Sequence, residues 1–305
     1  MATNNVYQMV TDRIVNLMQQ GIIPWRKPWH YGAVETGEEQ AISYTSRRAY
    51  SILNQWLLGE PGEYLTFNQI KERKGSIRKG EKSKFVVFFK SATYTEKDPE
   101  TGEETLHSYP LLRYYNVWHI NQTEGIESKC AAPEAQPETP AGPEAIDAAE
   151  AVIAAYLARE IGLRFQNDKT SSRAYYSPSE DKVVVPMLSQ YDCAAEYYST
   201  AFHELTHSTL KESRCNREAD NASAFFGNHE YSREELVAEM GAAMLCSNSG
   251  IESDRAFRNS VAYLQSWMKA LKNDPKMIVW AASRAEKAAR YICGGPDAIK
   301  PAEQA

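Results

Sequence analysis

Paired cysteines are the first thing this sequence lacks. Its five cysteines, Cys130, Cys193, Cys215, Cys246 and Cys293, are odd in number and scattered, and no CxxC occurs. That excludes a disulfide framework and a cysteine-built zinc site, and points to reduced thiols in a cytoplasmic setting. No run of 18 apolar residues exists, so no membrane-spanning helix is expected. The opening stretch "MATNNVYQMVTDRIVNLMQQ" has no apolar core, so no secretory signal is expected either. Helix-turn-helix and C₂H₂ spacings are missing, which argues against sequence-specific reading of duplex DNA. Positive charge is not in excess: the formal net charge is −6. General affinity for nucleic acid is therefore not a property of the whole chain.

What is there is unevenly distributed. Residues 1–130 carry 16 Lys and Arg against 15 Asp and Glu, and residues 131–305 carry 18 against 25. Between the halves, "CAAPEAQPETPAGPEAID" (130–147) is rich in Pro, Ala and Glu and has no aromatic residue. Such a segment cannot bury enough surface to order itself and reads as a linker. With 305 residues, two domains are expected, 1–129 and 148–305.

Upstream, Val6, Met9, Val10, Ile14, Leu17 and Met18 recur at helical spacing before Gly21. "AISYTSRRAYSILNQWLLG" reads as a second helix stopped by glycine. "KFVVFFKSATYT" and "HSYPLLRYYNVWHI", either side of Asp98-Pro99-Glu100-Thr101-Gly102, read as a hairpin. The first domain is thus α+β with an antiparallel sheet. Downstream, "DAAEAVIAAYLAREIG" reads as a helix. "RAYYSPSEDKVVVP" reads as two short strands around a turn. Helical stretches follow at 190–211, 232–248, 253–271 and 277–292. The second half is mostly helical with a small sheet.

The stretch with chemical content is "FHELTHS". On a helix, positions i and i+4 share a face, so His203 and His207 can hold one cation. Glu204, turned by about 100° around the axis, can act as general base on a water activated by the metal. A third ligand is needed. "YSREELVAEMGAAML" presents Glu235 and Glu239 one turn apart, and either would complete a His₂Glu site with an open position, as in gluzincin-type peptidases. The other carboxylate would then orient a ligand histidine. Ser232-x-x-Glu235 also fits a capping box, which would fold Glu235 back to the helix start. His229 is a further ligand candidate, and Glu234 is expected on the opposite, exposed side. A donor to the carbonyl oxygen of a scissile peptide is sought in Tyr231, with His229, Tyr175 and Tyr176 as alternatives. The strand "DKVVVP" would suit an edge strand that pairs with an extended peptide, or a core strand.

In the first half, residues 64–97 hold nine Lys and Arg against three Glu. Lys71, Arg73, Lys74, Arg78, Lys79, Lys82, Lys84 and Lys90, with Arg47 and Arg48 nearby, could track a phosphate backbone. Gly75 and Gly80 bracket "SIRK", a turn where backbone could approach a phosphate. Trp25, Trp29, Tyr44, Tyr50, Tyr64 and Phe67 are interleaved aromatics. Packing is the commoner fate of such tryptophans, and lysine-rich loops are commonly solvated surface.

Taken in order, "AYYSPSEDKVVVP", "YYSTAFHELTHST" and "EYSREELVAEMGAAML" resemble the zincin-like metallopeptidase domain of the ArdC antirestriction proteins carried by conjugative plasmids. "GIIPWRKPW", "YTSRRAYSILN", "YLTFNQIKERKGSIRKGEKSKFVVFFK" and "LRYYNVWHINQTEGI" are similar to that family's N-terminal domain, which also occurs on plasmid primases. The resemblance implies an N-terminal domain that binds single-stranded DNA and a function in shielding incoming plasmid DNA from host restriction. It also implies one divalent metal, zinc first and manganese as the alternative. Two readings follow. In one, the site is a peptidase, its substrate a DNA-bound host protein. In the other, the metal is structural and protection comes from DNA occupancy alone. A metal-dependent nuclease fits less well, because nucleases favour carboxylate-rich sites.

Overall fold

The computed structural model describes residues 2–26, 40–97, 104–130, 143–217, 233–251 and 261–295. The chain divides into two compact units. Met1–Ile14 belongs with Glu35–Ala132, and Val15–Val34 with Pro133–Ala305. Helix α1 (Ala2–Gln19) straddles that division and buries Val6, Val10, Ile14 and Met18 of the expected stripe, with Met9 and Leu17 half-buried and Val15 buried beside them. It ends before Gly21, whose φ of 78° lies in the left-handed region where glycine costs least.

The first unit is built on a four-stranded sheet in the order β1-β2-β5-β4. β1 (Ala41–Ser43) runs parallel to β2 (Gly62–Thr66). β5 (Glu104–His119) pairs antiparallel with β2 and with β4 (Lys84–Lys97). The expected hairpin is present, in register from Lys84↔Val117 to Lys97↔Glu104. Its turn, 98–103, lies outside the described residues. The expected long helix over 41–59 is instead strand β1, a turn, and a short α2 (Ile52–Leu58). Tertiary bonding decides this: Ala41 donates its N–H to the Gln55 side chain (2.7 Å), which donates back to the Ala41 carbonyl (2.9 Å). Arg47 turns the chain at φ 59°, and α2 stops at Gly59 at φ 78°, as the glycine signal predicts.

Helix α3 (Phe67–Glu72) opens on a Thr66/Gln69 capping box. β3 (Ser76–Ile77) and β6 (Thr123–Glu124) form a two-stranded ribbon. One core group joins Ala41, Leu58, Tyr64, Val86 and Val117. A second joins Tyr44, Leu65, Ile70 and Ile120.

In the second unit a short 3₁₀ turn, Pro24–Arg26, precedes α4 (Pro143–Arg159), which starts four residues before the expected helix. Residues 131–142 of the expected linker lie outside the described residues. A three-stranded sheet has the order β7-β9-β8, with β7 (Arg164–Asp168), β8 (Tyr175–Ser177) and β9 (Lys182–Pro186). β9 is therefore the central strand. Both of its backbone edges are already paired, so "DKVVVP" is not an edge for an incoming peptide. The outer antiparallel strand is β8.

Helix α5 (Ala194–Ser208) lies against this sheet and packs on α6 (Arg233–Asn248). Helix α6 is buried along almost its whole length and also packs on α8 (Met277–Gly294). A helix buried on nearly all sides belongs at the centre of its unit. Helix α7 (Val261–Asn273) completes the described elements. Among the described residues no helix is long and apolar enough to cross a membrane.

Candidate metal centre

Helix α5 buries Tyr197, Tyr198, Ala201, Phe202 and Leu205 and turns His203 and His207 toward α6. The two Nε2 atoms lie 3.1 Å apart. Glu235, in the first turn of α6, places Oε2 3.4 Å from His203 Nε2 and Oε1 3.6 Å from His207 Nε2. Among the described residues this trio is the group of side chains whose ligand atoms converge, all within 4.8 Å. Metal–N and metal–O bonds of about 2.0–2.2 Å in a tetrahedron imply ligand–ligand edges of roughly 3.3–3.5 Å. The Nε2–Nε2 separation of 3.1 Å lies within a few tenths of an ångström of such an edge, and the two Glu235 oxygens each face one imidazole.

Glu239, the other carboxylate considered, is half-buried one turn further along and outside the trio. The carboxylate of Glu235 faces the two histidines. Ser232, Tyr231 and His229 lie outside the described residues. Tyr176 donates its hydroxyl to Asp181 Oδ1 (2.9 Å), and Tyr175 is 44% exposed on β8.

Glu204 is 9% exposed, and its charge is felt at His207. Burial pushes the Glu235 carboxyl up, but His203 and His207 outweigh it and hold it well below the usual carboxylate range. Burial pushes His207 down, but Glu234 and Glu235 outweigh it and raise it to about 10. A site that pulls two histidines and a carboxylate together this way is chemically set up for a cation that replaces the proton.

The expected exposure of Glu234 is wrong. It is 5% exposed, with Oε1 3.6 Å from His207 Nδ1, on the ring edge away from Glu235. Its carboxylate is gripped by Arg217, also buried, at 2.7 and 3.2 Å. Sequence spacing missed both, because Arg217 and Glu234 stand 17 residues apart and meet only in the folded chain. The available signal was the Glu234-Glu235 pair in a first helical turn. Adjacent positions differ by about 100°, so one could face the metal and the other the helix behind it.

A second charged cluster anchors the end of α5. Arg214 donates Nη1 and Nη2 to the two oxygens of Asp181 (2.8 Å each), Nε to Glu160 (2.8 Å), and Nη1 to the Ser208 carbonyl (2.8 Å). Close approach of α5 and α6 depends on Gly241. A Cβ there would come within 2.6 Å of Thr206 Cγ2.

In the first unit, Arg48, Lys71, Lys74, Arg78, Lys79 and Lys82 are exposed. Arg47 is paired with buried Glu63, and Lys84 with Glu60 and the Leu58 carbonyl. The expected role of Gly75 is not seen: it is buried, and a Cβ there would meet Ile126 at 2.5 Å. Tyr44, Tyr64 and Trp25 are buried, Tyr50 is half-buried, and Trp29 lies outside the described residues. Of the six expected aromatics, Phe67 is exposed (48%), with Lys71 Nζ 5.5 Å from its ring. The exposed rings that sequence reading missed stand on the hairpin: Phe89, Tyr114 and Tyr115. Tyr115 stacks face to face on Phe88, with centroids 4.6 Å apart. Strand register puts Phe88, Lys90, Arg113 and Tyr115 on one face.

Comparison with known proteins covers both units. Residues 4–118 match the N-terminal domain of anti-restriction factor ArdC, and residues 149–284 match a zincin-like metallopeptidase family. The uncharacterized protein y4eC of Sinorhizobium fredii is 29% identical over 299 residues, covering 94% of this chain and 91% of that protein. A DNA primase TraC of Escherichia coli is 29% identical over 303 residues, and the chain spans 27% of its length. The crystal structure of the antirestriction ArdC protein from the R388 plasmid is similar in its metal-free form, at 34% identity and TM-score 0.63. The match covers 94% of this chain and 96% of that one. The Mn(II)-bound form of the same protein is similar at 33% identity and TM-score 0.63.

Proposed function

The chain belongs to the ArdC family of antirestriction proteins, and from that premise we propose that it binds single-stranded DNA through its first unit and carries a divalent-metal peptidase site in its second, protecting incoming plasmid DNA from host restriction. The site of action on this reading is the cytoplasm, where a transferred strand meets host nucleases. The observation that carries the peptidase half is the convergence of His203, His207 and Glu235 beside buried Glu204.

A divalent cation held by the three ligands supplies Lewis acidity toward water and a peptide carbonyl. Zinc suits two imidazoles and a carboxylate, and the Mn(II) form of the R388 protein makes manganese the alternative. Glu204 takes the proton from the attacking water and passes it to the leaving amine. Strand β8, as an outer strand, offers backbone to an extended peptide. Tyr231 remains the proposed donor to the carbonyl oxygen. A DNA-bound host protein is the proposed substrate class.

The DNA half is supported by chemistry on one element set. Lys71, Lys74, Arg78, Lys79 and Lys82 supply exposed charge, with Arg48 nearby. Phe67, Phe89, Tyr114 and Tyr115 supply exposed ring faces, and stacking is worth about 1–3 kcal/mol per base. Arg47 and Lys84, already paired, contribute less.

One experiment separates the peptidase from a purely DNA-occupying protector. Glu204→Ala removes the proposed base and keeps all three ligands. Loss of protection in a conjugation assay, with zinc content and single-strand binding unchanged, is the expected result. Undiminished protection hands the function to DNA occupancy, with the metal structural. In parallel, affinity for single strands should fall steeply with salt. An absence of binding at low salt removes the DNA half.

A further inference from the structure

We propose that Arg217 and Glu234 are positioning residues for the metal, acting through His207, an inference that rests on reading His203, His207 and Glu235 as the ligands. His207 has two ring nitrogens with different neighbours. Nε2 faces His203 and Glu235, and Nδ1 faces Glu234 at 3.6 Å. A neutral imidazole offers a lone pair on Nε2 only when its proton sits on Nδ1. A carboxylate at Nδ1 selects that tautomer and fixes the plane of the ring.

Glu234 is too deeply buried to stand there by itself, because a buried carboxylate requires a partner. Arg217 meets that need with two donors of its planar fork, Nη2 to Oε1 (2.7 Å) and Nε to Oε2 (3.2 Å). The same guanidinium reaches the end of the motif helix, donating Nη1 to Thr209 Oγ1 (2.7 Å) and Nη2 to the Thr206 carbonyl (3.1 Å). One side chain thus ties α5, which carries both histidines, to the first turn of α6, which carries Glu235. Its placement sets the third ligand against the first two and orients the second.

The competing account is a buried ion pair that only stabilises the fold. Metal affinity tells the two apart. The full chain is titrated with Zn(II) alone against a chromophoric chelator, and with Co(II) alone by visible absorption. Urea unfolding of the metal-free protein is measured beside them. Glu234→Gln and Arg217→Met should each weaken Zn(II) binding by about 10–100-fold and shift the Co(II) bands. Arg217→Lys should fall between them and the wild type. The double variant should lose little more than either single one, because both act through one contact. Should Arg217→Met fail to fold, the near-isosteric Glu234→Gln carries the test.

Zn(II) affinity within about twofold of wild type and an unchanged Co(II) spectrum in Glu234→Gln overturn the proposal, whatever happens to unfolding. Failure of the wild-type chain to bind Zn(II) or Co(II) at all sinks the ligand reading, and this proposal with it. Wild-type binding with unaltered variants sinks this proposal alone.

Discussion

Asp181 sits at the turn between β8 and β9, at φ 46°, where it receives Arg214, Lys211 and the Tyr176 hydroxyl. Burial pushes its carboxyl up, but these three donors outweigh burial and lower it to about 2. A folded value below the ordinary 3.8 means the carboxylate contributes stability above that value. The contribution is lost as pH falls through the folded value. Asp181→Asn should therefore cost on the order of 2–3 kcal/mol at pH 7. The gap to wild type should narrow from about pH 4 downward in a series of urea unfolding curves. A gap that stays constant to the acid limit would show that the ion cluster is not its source. The residue types of the candidate metal site, by contrast, could be read directly. His203, Glu204 and His207 announce themselves by spacing. Glu234 does not, because whether a charged side chain at a first helical turn is solvated or buried depends on what the helix packs against.

The element that brings the ligands together is the crossing of α5 and α6, in which Thr206 packs tightly against Gly241. A methyl group at 241 would lie 2.6 Å from Thr206 Cγ2 and 2.7 Å from Oγ1, distances that force the helices apart. Gly241→Ala should cost roughly 1–3 kcal/mol through overpacking, partly offset by about 1 kcal/mol of helix propensity. It should also weaken Zn(II) binding, because Glu235 rides on α6. Thr206→Ala in the same chain should restore much of both, since it removes the two nearest atoms. Chelator titration of the single and double variants checks this, and equal affinity in all three would mean the crossing does not set the ligand distance. Element identity was legible for α1, the β4–β5 hairpin, β8, β9, α5 and α6, where hydrophobic period and breakers agree. It failed at 41–59, where Gln55 draws Ala41 into a strand and a local pattern cannot register that long-range bond.

Over the whole molecule, chain order and compact units do not coincide. Val15–Val34 belongs with the unit that holds the candidate metal site, and Trp25, 1% exposed, sits in a turn that packs on α6. Trp25→Ala should destabilise that unit by about 3–5 kcal/mol, as loss of a buried indole does. Single-strand affinity should stay near wild type. Thermal unfolding with and without Zn(II), beside fluorescence anisotropy on an oligonucleotide, measures both. Weaker DNA binding at unchanged stability would instead make Trp25 a stacking platform. The composition break at 130–147 is visible to the eye, whereas the return of residues 15–34 to the later half is a matter of packing alone.

By itself the sequence determined that His203 and His207 share a face with Glu204 beside them, because that follows from helical spacing wherever the helix lies. It determined the charge and aromatic content of the first unit for the same reason, since composition survives any fold. Tertiary structure decided which carboxylate meets the histidines, which one stands behind them, and which rings reach solvent. Those choices turn on contacts between residues far apart in the chain, and no local period encodes them.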